Sequence, residues 1–137
     1  MIWLKQEFPW LGPGFVQAVA ERYADQFSSA LARLGFSVKT MRCGAGDDLH
    51  AELAKVLNFP DYYGKNWDAF DECVAEVTFA TPFALVWRDA GGYAAENPKL
   101  FAEASFMLND AFHKRPDVQA ILVITGDGGT FRAPAEA

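Results

Sequence analysis

Two short apolar runs, Phe83-Ala84-Leu85-Val86-Trp87 and Ala120-Ile121-Leu122-Val123-Ile124, restrict the fold of this chain more than anything else in it. Neither alternates with polar residues, so a strand built from either must be covered on both faces. Between them, Pro98 opens a stretch in which Leu100, Phe101, Ala104, Met107, Leu108, Ala111 and Phe112 recur at three- and four-residue steps, the stripe of an amphipathic helix. Doubly buried strands joined through a helix predict parallel pairing inside an α/β layer.

The rest of the chain fits that plan. Residues 36–42 alternate and read as another strand. Gly44-Ala45-Gly46 is a turn, and Asp47 or Asp48 caps a helix carrying Leu49, Leu53, Val56 and Leu57. Asn66 caps a further helix that runs to about Val77. Near the N-terminus, Phe15, Val16, Val19, Ala20, Tyr23, Phe27, Ala30, Leu31 and Leu34 recur at helical steps, which predicts one long helix from Pro13 to a stop at Gly35. Residues 1–12 read as a short strand or arm, Asp89 to Asn97 as loop or short irregular helix, and residues 126–137 as a flexible tail. At 137 residues the length is that of one structural domain.

Charge narrows the class of partner. The net charge is −6, but residues 1–45 hold five basic groups against three acids, and the remainder seven against fifteen. An acidic body argues against direct nucleic-acid binding, because phosphate contacts need Lys and Arg. It favours capture of a basic protein. No run approaches the roughly 18 apolar residues of a membrane span. The first residues lack the basic and apolar regions of a signal peptide, so the expected address is the cytoplasm. Cys43 and Cys73 have no CxxC spacing and are expected as free thiols.

Residues 60–73, Pro-Asp-Tyr-Tyr-Gly-Lys-Asn-Trp-Asp-Ala-Phe-Asp-Glu-Cys, carry the functional signal. As a helix from Asn66, they place Trp67, Phe70, Cys73, Val74 and Val77 on one side and Asp68, Asp71, Glu72 and Glu76 on the other. The like-charge neighbours each cost a few tenths of a kcal/mol, and the helix contains no Lys or Arg to relieve them. One reading is a solvated face; the other is that a cationic partner supplies the missing charge. Tyr62 and Tyr63 precede the helix, one expected inward and one outward, since tyrosine offers large contact area with few rotors to freeze. Gly64 allows a positive φ or a close backbone approach.

These residues resemble the barstar family, intracellular inhibitors of secreted ribonucleases of the barnase type. The resemblance rests on Asp48-Leu49-His50, Leu53, Leu57, Pro60, Tyr62-Tyr63-Gly64, Asn66, Asp68-Ala69, Cys73, Pro82 and Trp87-Arg88, and covers roughly residues 36–125. It implies a three-stranded parallel sheet packed by helices, to which residues 1–35 add an arm and an extra long helix. That helix either pads a face of the sheet or forms a homodimer or partner surface. The resemblance also implies that Tyr62, Gly64, Asn66 and Asp68 contact the partner, that Glu72 stands where a longer carboxylate replaces a deeply inserted aspartate, and that Asp110 matches a contacting glutamate. Asp71 replaces a tryptophan at the interface edge. With Glu76 these make the candidate partner-binding set, and Thr81–Pro82 becomes a candidate cis bond.

No catalytic residue, cofactor or metal is expected. His50 and His113 lie on separate helices without an evident nucleophile. One helix face of Asp68, Asp71 and Glu72 rarely completes a Mg²⁺ or Ca²⁺ shell. Gly126-Asp127-Gly128-Gly129 lacks the Lys and following helix of a phosphate loop. The expected function is inhibition of a basic ribonuclease or nuclease-type toxin. The alternative is a binding or structural module with a non-nuclease partner.

Overall fold

The computed structural model describes residues 16–127 and residue 131. The arm over residues 1–12, the helix start at Pro13 and nearly all of the tail lie outside the described residues. Four strands form one parallel sheet: β1 (Val16–Ala20), β2 (Ser37–Arg42), β3 (Phe83–Arg88) and β4 (Ala120–Gly126), in the order β1-β4-β3-β2. Among the described residues five α-helices accompany it: α1 (Ala24–Arg33), α2 (Leu49–Val56), α3 (Trp67–Glu76), α4 (Ala90–Glu96) and α5 (Pro98–His113).

The α/β class and the parallel sheet are those expected, with two corrections. Among the described residues the sheet has four strands rather than three, and only the second half of the expected long N-terminal helix is helical. Val16 to Ala20 pair with Leu122 to Gly126 as an edge strand, a short 3₁₀ turn follows at Glu21–Tyr23, and the helix begins at Ala24. The spacing misled because five residues with apolar positions at steps of three and one fit either period. Packing decides between them. Beside β4, Val19 is buried on one face while Val16 and Ala18 lie against the core on the other. A helix there would leave the outer edge of β4 unpaired.

The two faces of the sheet have separate cores. On one, Phe27 and Leu31 of α1 meet Val19, Ala84, Val86, Ile121 and Val123. On the other, α2 to α5 bring Leu49, Leu53, Phe70, Val74, Tyr93 and Leu108 against Leu85, Trp87, Leu122 and Ile124. Successive residues of β3 and β4 thus feed opposite cores, which is why their sequences do not alternate. The apolar stripe of α1 lies on the sheet, with Asp25, Gln26, Ser29, Ala32 and Arg33 exposed. The chain crosses the sheet once with α1 on one face and returns with the other helices on the opposite face, so the crossovers share one hand. Trp87 is fully buried and its Nε1 donates to the Cys43 carbonyl at 2.8 Å. The Thr81–Pro82 peptide is cis, as the resemblance implies. No helix among the described residues is long and apolar enough to cross a membrane.

Glu21 ties the added strand to the C-terminal edge of the sheet. Its carboxylate accepts from Thr125 Oγ1 at 2.7 Å, the Asp89 backbone N–H at 3.0 Å and Arg88 Nε at 3.0 Å. Burial pushes this carboxyl up, but the bonds from Thr125, Arg88 and the Asp89 N–H outweigh it and hold the group below its ordinary value. A depressed carboxyl stabilises the fold above its unfolded pKa and loses that contribution as pH falls through the folded value. Glu21→Gln is therefore expected to cost about 1–3 kcal/mol at neutral pH. Urea unfolding of both proteins checks this, and the difference between them closes as the pH falls below about 4.

Candidate functional site

The site is built where the chain leaves α2 and enters α3. Asp48 caps α2, its Oδ1 accepting from the Ala51 N–H at 3.2 Å. Residues 58–66 form the loop. Asn66 then caps α3, its Oδ1 accepting from the Ala69 N–H at 2.8 Å while its Nδ2 donates to the Gly64 carbonyl at 3.3 Å. One side chain thus starts the helix and folds the loop back onto it. The left-handed residues of the loop are Asn58 (φ 57°) and Lys65 (φ 53°), not Gly64. A Cβ on Gly64 would make no contact closer than 3.4 Å, so the fold itself does not demand glycine there.

The two tyrosines part as expected. Tyr62 is 80% exposed and Tyr63 only 9%. Tyr63 packs on Phe59, with ring centroids 5.0 Å apart, and its hydroxyl shares a 2.6 Å hydrogen bond with His50 Nδ1. Burial pushes the His50 pKa down, against the pull of Asp48 and Glu103, and pushes the Tyr63 phenol up to about 12. Both groups are thereby held neutral, and His50 is a support beneath the loop rather than a base. Because the His50 pKa is depressed, the unfolded chain takes up its proton first, and this pair loses stabilising effect as pH falls below about 6.5. Tyr63→Phe keeps the ring packing and leaves the imidazole nitrogen without its partner. It is expected to cost about 1–2 kcal/mol in urea unfolding at neutral pH.

Helix α3 buries Phe70, Cys73 and Val74 and turns its acids outward. Asp68, Glu72 and Glu76 are exposed, and among the described residues none of the three has an ion-pair partner. Asp71 is different. Its Oδ2 accepts from Lys114 Nζ at 2.9 Å, and the same ammonium lies 3.0 Å from Asp110 Oδ2. The charge that the helix lacks in its own sequence is thus partly supplied from the end of α5, which the sequence reading missed. Arg115 was missed as well. Its Nη1 donates to the Val74 carbonyl at 2.8 Å and the Val77 carbonyl at 2.9 Å, closing the C-terminus of α3 where the helix dipole favours a cation. At the N-terminal end, Trp67 Nε1 donates to Glu103 Oε1 at 3.1 Å.

The set named from sequence therefore divides. Tyr62, Gly64, Asp68, Glu72 and Glu76 are exposed, Asn66 is exposed but engaged in capping, and Asp71 and Asp110 are half-buried and bound to Lys114. Loop and helix together present an aromatic beside a row of carboxylates, a surface that can grip a cation without bond-making chemistry. Cys43 and Cys73 are free, buried thiols, and burial pushes both pKa values up, Cys43 to about 12, the reverse of a nucleophile. Among the described residues, no group of three or more His, Cys, Asp or Glu side chains is placed to hold a metal ion.

Comparison with known proteins points the same way. The family model described as Barstar (barnase inhibitor) matches residues 35–124. YrdF of Bacillus subtilis (strain 168), provisionally named a ribonuclease inhibitor, is 35% identical over 71 residues, covering 47% of this chain and 77% of its own length.

Proposed function

The chain belongs to the barstar family, and from that premise we propose that it is an intracellular, non-catalytic inhibitor of a basic ribonuclease or nuclease-type toxin. The exposed Tyr62 loop and the carboxylates of α3 enter the enzyme's active site, where Asp68, Glu72 and Glu76 take the positions of RNA phosphates and meet its Arg, Lys and His side chains. The observation that carries this reading is the row Asp68, Glu72 and Glu76, exposed and, among the described residues, without internal cations, beside a tyrosine that is 80% exposed. Exposed carboxylates repelling one another on one helix face find their counter-charge in a partner. Association is steered by charge, as in the barnase–barstar pair, and slows as salt rises.

Titration against a guanyl-specific secreted ribonuclease tests the proposal. Activity is expected to fall in proportion to added protein and to vanish near equivalence. Full activity in large excess of protein would remove a barnase-like enzyme as the target. Recovery of a non-nuclease partner from the native lysate would favour the alternative, a barstar-like binding module.

A further inference from the structure

Asp71 and Asp110 stand on different helices, and Lys114 bridges them, its Nζ 2.9 Å from Asp71 Oδ2 and 3.0 Å from Asp110 Oδ2. The two carboxylates hold that ammonium, and the backbone holds the residue that carries it. Besides the two carboxylates, the Lys114 backbone N–H donates to the Asp110 carbonyl at 3.2 Å, holding the residue at the C-terminal end of α5 where a cation is favoured. The second Asp71 oxygen, Oδ1, is buried and has no hydrogen-bond partner among the described residues. Asp71 therefore offers an incoming group no accessible free oxygen: one is buried and the other belongs to Lys114.

We propose that Lys114 is an internal counter-cation that closes the seam between α3 and α5 to partner cations. It restricts recognition to basic partners whose charges meet Asp68, Glu72 and Glu76 and whose surface opposite the seam carries none. This rests on the inhibitor reading for the partner's class, and extends it to which carboxylates do the recognising. A guanidinium or ammonium arriving at the seam meets a like charge a few ångströms away, and reaches Asp71 only by displacing Lys114. The sequence departure at Asp71 thus acts through Lys114: it positions the gate and does not itself touch the partner. A surface ion pair of no consequence is the competing account, and the two differ in what happens when the lysine is removed.

The test uses octa-arginine as the cationic probe, with binding to the full chain followed by fluorescence anisotropy at low and physiological ionic strength. Lys114→Met is expected to bind several-fold more tightly than the wild type. Lys99→Met, an equal change of charge at an exposed position in the first turn of the same helix, is expected to gain less than half as much. Lys114→Arg keeps the gate and the wild-type affinity. Adding Asp71→Asn and Asp110→Asn together to Lys114→Met cancels the gain. Lys114→Gln, which keeps a hydrogen-bond donor, gives the same ordering if the methionine variant folds poorly. Equal gains from Lys114→Met and Lys99→Met, or a gain that survives Asp71→Asn and Asp110→Asn together, overturn the proposal. No ribonuclease enters this experiment, so its failure is distinct from failure of inhibition in the titration above.

Discussion

Glu72→Ala is expected to weaken the complex with an inhibited ribonuclease by at least about 2 kcal/mol, the mark of a binding hot spot, while leaving the stability of the free protein unchanged or slightly raised. Glu72 lies mid-helix, exposed, one turn from Asp68 and one turn from Glu76, with no internal cation to hold it among the described residues. In the free protein its charge is repelled by both neighbours, so truncation relieves a few tenths of a kcal/mol. In the complex the same charge is desolvated against the enzyme's cations, and its removal leaves them buried and unpaired. Opposite signs on folding and binding are what identify a residue kept for recognition. Isothermal titration calorimetry and urea unfolding of one variant read both. A loss no larger than that from a rim substitution would displace Glu72 as the central anchor.

Phe70→Ala is expected to act the other way round, costing about 3–5 kcal/mol of fold stability. Phe70 is fully buried. Its ring lies 5.6 Å from that of Phe59 and 5.3 Å from that of Trp67, so it pins α3 to the residues that open and close the preceding loop. Removing it leaves a cavity beneath both halves of the proposed binding surface. Binding weakens because the competent conformation is less populated, not because a contact is lost. Chemical denaturation with hydrogen exchange across residues 59–76 checks this, with protection expected to fall first in α3 and the loop.

The contrast between these two positions also shows what was legible in the sequence. The division of α3 into an apolar and an acidic side follows from spacing alone, and so do the Asn66 cap and the inward and outward tyrosines, because each depends on residues a few positions apart. The strands β3 and β4 were legible because unbroken apolar runs admit few alternatives. β1 was not: Val16 to Ala20 fit a helix as well as a strand, and only the open edge of β4, a hundred residues on, decides. The cations of the site were hidden for the same reason. Lys114 is 43 positions from Asp71, and Arg115 is 41 from Val74. A helix that looked unrelieved within its own sequence is relieved at one carboxylate and capped at its end by the chain that follows α5. That leaves Asp68, Glu72 and Glu76 as the acids of α3 without an internal counter-charge among the described residues.

The claim that these carboxylates stand in for RNA phosphates is tested most directly by competition. A ribonuclease inhibited by this protein is titrated with it in the presence of increasing guanosine 3′-monophosphate, an active-site ligand. If loop and helix occupy the active site, the apparent dissociation constant rises in proportion to nucleotide concentration and extrapolates to exclusion of one ligand by the other. An apparent constant that stays fixed while the nucleotide saturates the enzyme would place the protein elsewhere on the ribonuclease and contradict the phosphate-mimic account.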